Sequence, residues 1–168
     1  MLFRSAWRSR ILASATAGDA AAQWLLGLMY YKSDSYAEAL SWFRKAAEQG
    51  DPRGQYMLGR MYFTGAGVHR DLAQTLFWYR KAAQQGLADA QFGLAAVASA
   101  GGVPQNSAEA LMWYRKAASQ GDSLSQFCIG WMYDYGIGVV QDPAQALTWY
   151  SKAAGSGNIL AAYYAGIM

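Results

Sequence analysis

Apolar residues along this chain recur at helical spacing, three to four apart, in blocks of about three turns. In one block Gly54, Leu58, Met61 and Tyr62 fall at i, i+4, i+7 and i+8; in the next, Leu76, Tyr79 and Ala83 form a second stripe with Trp78 beside it. The two kinds of block alternate. The first kind reads AQWLLGLMY, GQYMLGRMY, AQFGLAAVA and SQFCIGWMY; the second reads SWFRKAAEQGD, FWYRKAAQQGL, MWYRKAASQGD and TWYSKAAGSGN. We denote them helix A and helix B. The tryptophans of the second kind, Trp42, Trp78, Trp113 and Trp149, are 36, 35 and 36 residues apart, so the pattern predicts a tandem array of helix pairs.

Punctuation agrees with the pattern. Seven residues before each tryptophan stands Ser35, Asp71, Asn106 or Asp142, all good N-cap types, and Pro143 suits a first helical position. Gly50, Gly86, Gly121 and Gly157 fall where a left-handed C-terminal cap is expected. Between A and B, Gly65-Ala66-Gly67 superficially suggests a phosphate cradle, but it lacks the lysine or third glycine of such loops and reappears as Gly136-Ile137-Gly138. The glycines are therefore expected to make turns at positive φ, with Val68 anchoring the loop and Asp71 capping the next helix.

In repeat two, Leu58, Gly59, Met61, Tyr62, Gly65, Gly67, Val68, Asp71, Trp78, Tyr79, Lys81, Ala82, Ala83 and Gly86 form one motif. Repeat four presents it through Gly130, Met132, Tyr133, Gly136, Gly138, Val139, Asp142, Ala146, Trp149, Tyr150, Lys152, Ala153 and Ala154. This motif resembles that of the SEL-one-like repeat (SLR) family, relatives of the tetratricopeptide repeats. The resemblance implies an all-α fold: a right-handed superhelical solenoid of antiparallel helix pairs, with a concave face for partners and a scaffold or adaptor role. The expected plan is a single solenoid over 1–168, with a degenerate N-terminal helix at 1–17, repeats at 18–50, 51–86, 87–121 and 122–157, and a partial fifth repeat at 158–168. Repeat one departs from the motif in its shorter loop, KSDS, and repeat three in carrying Ala95 and Ala98 where the motif has Gly and Tyr. Ala95 is small enough for close helix approach, whereas Ala98 is expected to loosen the packing. With one cysteine the chain falls outside the family's disulfide-bridged branch.

Positions that vary between repeats are the candidates for recognition. On helix A they collect in two slots opposite the repeated stripe: Leu25, Met57, Gly93, Cys128 and Tyr164 in one, Leu28, Arg60, Ala96, Trp131 and Ile167 in the other. If helix A lines the concave face, as the resemblance implies, these ten form an apolar floor for a protein or peptide, with Arg60 and Trp131 as its anchors.

Composition narrows the chemistry. The chain is 54% apolar and 15% charged, with formal charge +3, which is globular and too weakly basic to suggest nucleic acid. The pairs Arg44-Lys45, Arg80-Lys81 and Arg115-Lys116 read as cations at helix C-termini, not a phosphate track. His69 is the only histidine and Cys128 the only cysteine, so a metal site, a cofactor and a catalytic triad are not expected. The alternative to a scaffold is a hydrolase of cell-wall or β-lactam-like amides, an activity proposed for some proteins resembling this family; it would require Cys128 or His69 to find a catalytic partner.

No apolar stretch reaches the roughly 18 residues of a membrane span. The opening MLFRSAWRSRILASATAG is Arg- and Ser-rich and acid-free, like an organellar transit segment, but is read here as the degenerate first helix. Without a clear secretory signal, the cytoplasm is the expected compartment. The sequence opens on half a repeat and closes inside a helix A without polar caps; the expectation is a segment of a longer array or self-association through the uncapped ends.

Overall fold

The computed structural model describes the backbone of residues 2–100 and 104–168, and the side chains of 7–98 and 107–168. Ten helices occupy these residues, without a strand: α1 (Leu2–Thr16), α2 (Ala20–Lys32), α3 (Tyr36–Glu48), α4 (Pro52–Thr64), α5 (Leu72–Gln84), α6 (Ala88–Ala100), α7 (Pro104–Ser119), α8 (Ser123–Tyr135), α9 (Pro143–Gly155) and α10 (Ile159–Ile167). They fall into two compact units, the first ending at Gln85 and the second beginning at Gly86. The fold is the all-α helix-pair type that the sequence predicts.

In the first unit α2 and α4 are A helices, α3 and α5 are B helices, and α1 packs on α2 as a B helix does. Its Ile11 and Ala15 are buried with Leu26 of α2, and Leu25 and Trp42 pack around them. A second core joins Ala39, Phe43 and Ala47 of α3 to Met57, Leu58 and Met61 of α4. In the second unit, Ala146, Tyr150 and Ala153 of α9 are buried with Ala161 of α10, and Phe127, Tyr133 and Tyr164 pack against them.

The repeated glycine in the middle of helix A sets how closely A approaches B. A Cβ at Gly27, Gly59 or Gly130 would lie 2.6–2.7 Å from the ring of Phe43, Tyr79 or Tyr150, respectively. The aromatic ring therefore lies directly on helix-A backbone. In repeat three the equivalent Ala95 is fully buried, and Tyr114 is also buried; its ring centroid is 5.9 Å from that of Phe92.

The turns follow the expected chemistry with two corrections. Gly50, Gly86, Gly121 and Gly157 all have φ between 88 and 91°. Asp51 N–H reaches back to Ala46 O, and Asn158 N–H to Ala153 O, each at 3.0 Å, as left-handed caps require. Asp71 and Asp142 cap α5 and α9 by accepting from the N–H of Gln74 and Gln145. Ser35, however, makes no side-chain capping bond: the shortened loop replaces the glycine turn with Asp34 at φ 58°, whose carboxylate accepts from the Tyr36 hydroxyl. Nor is Asn106 a cap, because α7 starts earlier, at Pro104, and takes Asn106 into the helix; its side chain lies outside the described residues.

A polar ladder also runs beneath the pairs. Gln55 is buried; its amide donates to Ala47 O at 3.3 Å, and its Oε1 accepts from Gln85 Nε2 at 2.8 Å. Gln49 donates likewise to Gln23 in the first unit, and Gln120 to Gln91 in the second. Each glutamine pair ties the A and B helices of one repeat, and the Gln55–Ala47 bond reaches back to the preceding repeat, so that amides otherwise buried unpaired find partners. Gln55→Leu should therefore cost about 1–3 kcal/mol in denaturant unfolding despite the added apolar surface; a variant as stable as the parent would show the ladder to be dispensable.

Candidate partner-binding face

On α2 and α4 of the first unit, the variable helix-A positions differ in access. Leu25 and Leu28 are half-buried and Arg60 is exposed, whereas Met57 is only 6% exposed and belongs to the core, supporting the face from beneath. The Arg60 guanidinium stands 5.8 Å above the ring of Tyr31. Tyr31 is itself held edge-on against Tyr36 with centroids 5.3 Å apart, and lies 6.4 Å from Phe43. A charge over a fixed ring is worth about 0.5–1 kcal/mol at an exposed site, enough to restrict where the guanidinium points.

In the second unit Gly93 and Ala96 of α6 are half-buried and small. On α8 and α10 the character is aromatic. Trp131 lies 4.3 Å from Tyr135 and meets Tyr164 edge-on at 5.6 Å; Phe127 approaches both Trp131, at 6.3 Å, and Tyr164, at 5.7 Å. Cys128, Trp131 and Tyr164 are half-buried, while Tyr135 and Ile167 are 57% and 62% exposed. The cluster thus has an anchored interior and an accessible rim. Tyr31 and Tyr135 were not among the positions singled out from sequence, yet each lies on the candidate face, three residues after Leu28 and four after Trp131. Extending the variable slots by one helical turn reaches them.

Burial pushes the phenols of Tyr79 and Tyr150 above the ordinary tyrosine value of 10.0, and the Asp134 carboxylate beside Tyr150 adds to its shift. The unfolded chain then loses these protons first, so the stabilisation is complete below about pH 10 and disappears as pH rises through the folded values. Melting temperature should fall on titration above about pH 10, and Tyr150→Phe should make that fall shallower; an unchanged slope would remove Tyr150 from the account.

The groups that catalysis would need are differently occupied. Burial raises the pKa of the Cys128 thiol, with a hydrogen bond from Tyr114 acting in the opposite direction, so the thiolate is disfavoured. His69 is exposed, its Nδ1 2.9 Å from Arg70 O. Among the described residues, no group of three or more His, Cys, Asp or Glu could hold a metal ion. The cations of helix B also have local roles. Lys45, Lys116 and Lys152 lie 4.2–5.1 Å over the rings of Trp42, Trp113 and Trp149. Arg44 and Arg115 donate to the hydroxyls of Tyr62 and Tyr133. They brace helix B and the seam to helix A.

The Sel1 repeat model matches residues 20–51, 52–87, 88–122 and 123–158. Among solved structures, a protective antigen present in uropathogenic Escherichia coli strains, displaying an SLR fold, is 40% identical with TM-score 0.85. The match covers 92% of this chain and 34% of the antigen. A Sel1 repeat protein from Oxalobacter formigenes is 34% identical with TM-score 0.83, over 89% of this chain and 63% of that one. The chain thus spans about a third of the first relative's length and under two thirds of the second's. No curated protein matches it.

Proposed function

The chain belongs to the Sel1 repeat family, and we propose that it is a non-catalytic adaptor that recognises a protein or peptide through the variable face of its A helices. Sel1-repeat folds generally serve as protein–protein interaction scaffolds. No helix among the described residues is long and apolar enough to cross a membrane. The observation that carries the reading is the placement of accessible, braced anchors at positions where the repeats differ: Arg60 over Tyr31, and Tyr135 against Trp131.

Arginine and large aromatic side chains contribute disproportionately to binding when a partner desolvates them. Here neighbouring rings already restrict their motion, so less side-chain entropy is lost on binding. Residues repeated between units close the core together with Met57, which leaves the more accessible variable positions to determine the partner. Arg60→Glu combined with Tyr135→Ala changes two exposed positions and should weaken capture of a native partner by at least about 100-fold while moving the melting temperature little. Undiminished capture would remove this face from the function.

A further inference from the structure

In the first unit a groove of about 500 Å³ opens between α1 and α2, with one wall reaching α4. Its size lies within the range of ligand-binding clefts. Ile11 and Leu25 form part of its floor, Trp7 and Trp24 stand along it, and Arg10 and Arg53 supply its charge; no carboxylate is in the lining. Trp7 is 51% exposed and Arg10 is also exposed.

Arg53 is already oriented. Its guanidinium lies 4.2 Å over the Trp24 ring, while Nε and Nη2 donate to the two carboxylate oxygens of Asp51 at 3.3 and 2.7 Å. That geometry leaves the Nη1 edge of the fork turned from Asp51. The nearby acids are both occupied in capping: Asp51 accepts from Gly54 N–H, and Asp19 from Ala22 N–H. Along α1 there are three arginines and no acid.

We propose that this groove binds a short acidic peptide segment carrying an apolar or aromatic side chain. The side chain would lie between Trp7 and Trp24 on the aliphatic floor, and flanking carboxylates would meet Arg10 and the free edge of Arg53. The lining is mostly apolar with two cations, which fits such a segment better than a phosphate backbone requiring a continuous basic track. The inference rests on the protein-recognition reading; the groove shares Leu25 with the candidate face but adds a contact of different chemistry, through Trp7, Arg10, Trp24 and Arg53.

The probe is a fluorescein-labelled synthetic peptide with a Leu-Phe pair flanked on both sides by glutamates, added to the full chain and followed by anisotropy and by the tryptophan indole N–H resonances. Saturable binding that shifts the Trp7 and Trp24 signals is expected. It should weaken at least about tenfold in Arg10→Glu, in Trp7→Ala, and with a peptide whose glutamates are glutamines. Circular dichroism of both variants verifies that α1 remains folded, and the glutamine peptide tests the charge requirement on the unaltered protein. The proposal is overturned by absence of saturable binding, by undiminished binding of the glutamine peptide, by shifts confined to Trp131, or by binding to phosphatidylglycerol vesicles in place of the peptide. Failure here with Arg60-dependent partner capture intact would remove the groove and leave the recognition face standing.

Discussion

Tyr150→Ala is expected to destabilise the second unit by about 3–5 kcal/mol, the range for removing a large aromatic from a packed core. Tyr150 is fully buried. Its ring occupies the space a Cβ at Gly130 would need, and stands 5.6 Å from Phe127 and 5.4 Å from Tyr164. Its hydroxyl donates to Asp134 Oδ2 at 3.3 Å. The facing position, a glycine on helix backbone, has no side chain with which to fill the vacated volume. Phe127 and Tyr164 also brace Trp131, so the change reaches the candidate face. Denaturant unfolding with hydrogen exchange should show lost protection concentrated in α8–α10, since a repeat fold is stabilised mainly by nearest neighbours. A loss below about 1 kcal/mol would contradict the packing described.

The second large effect comes from a glycine whose substitution meets two obstacles. Gly67 has φ 69°, and a Cβ there would lie 2.7 Å from Tyr36 O and 2.8 Å from Tyr36 C. Gly67→Ala thus combines left-handed strain of about 1–2 kcal/mol with the displacement of backbone at the start of α3, for a total of about 3 kcal/mol. Gly86 has φ 91° and nothing within 4 Å of its added Cβ, so Gly86→Ala should show the strain alone, about 1 kcal/mol. Calorimetric melts of the two variants separate the causes: equal destabilisation would mean that the loop does not press on α3.

The A–B alternation and the left-handed glycines were legible because each depends on local periodicity or on a residue type with one main physical use. Side-chain pairings between helices were harder to read. The recurrent glutamines are visible as letters, but their bonding becomes evident only when Gln85 is placed beside Gln55. Ser35 shows the converse limit: a good capping residue loses its role when a shortened loop changes the approach to the helix. For the candidate face, helical spacing located the slots but not the depth. Met57 and Arg60 are three residues apart on one helix, yet the first is core and the second exposed, because packing from neighbouring helices decides access. Tyr31 and Tyr135 lie one turn beyond the two variable slots and so outside the positions compared.

Site-specific photo-crosslinking in the native host tests the adaptor account most directly. A benzophenone amino acid would replace Leu28 or Ile167 on the A helices, beside the anchors, and Ser41 or Glu48 on the exposed surface of α3. The account predicts discrete crosslinked products of higher mass from positions 28 and 167, and none of comparable yield from positions 41 and 48. Products formed equally from all four positions, or only from the α3 pair, would contradict recognition through the variable face of helix A.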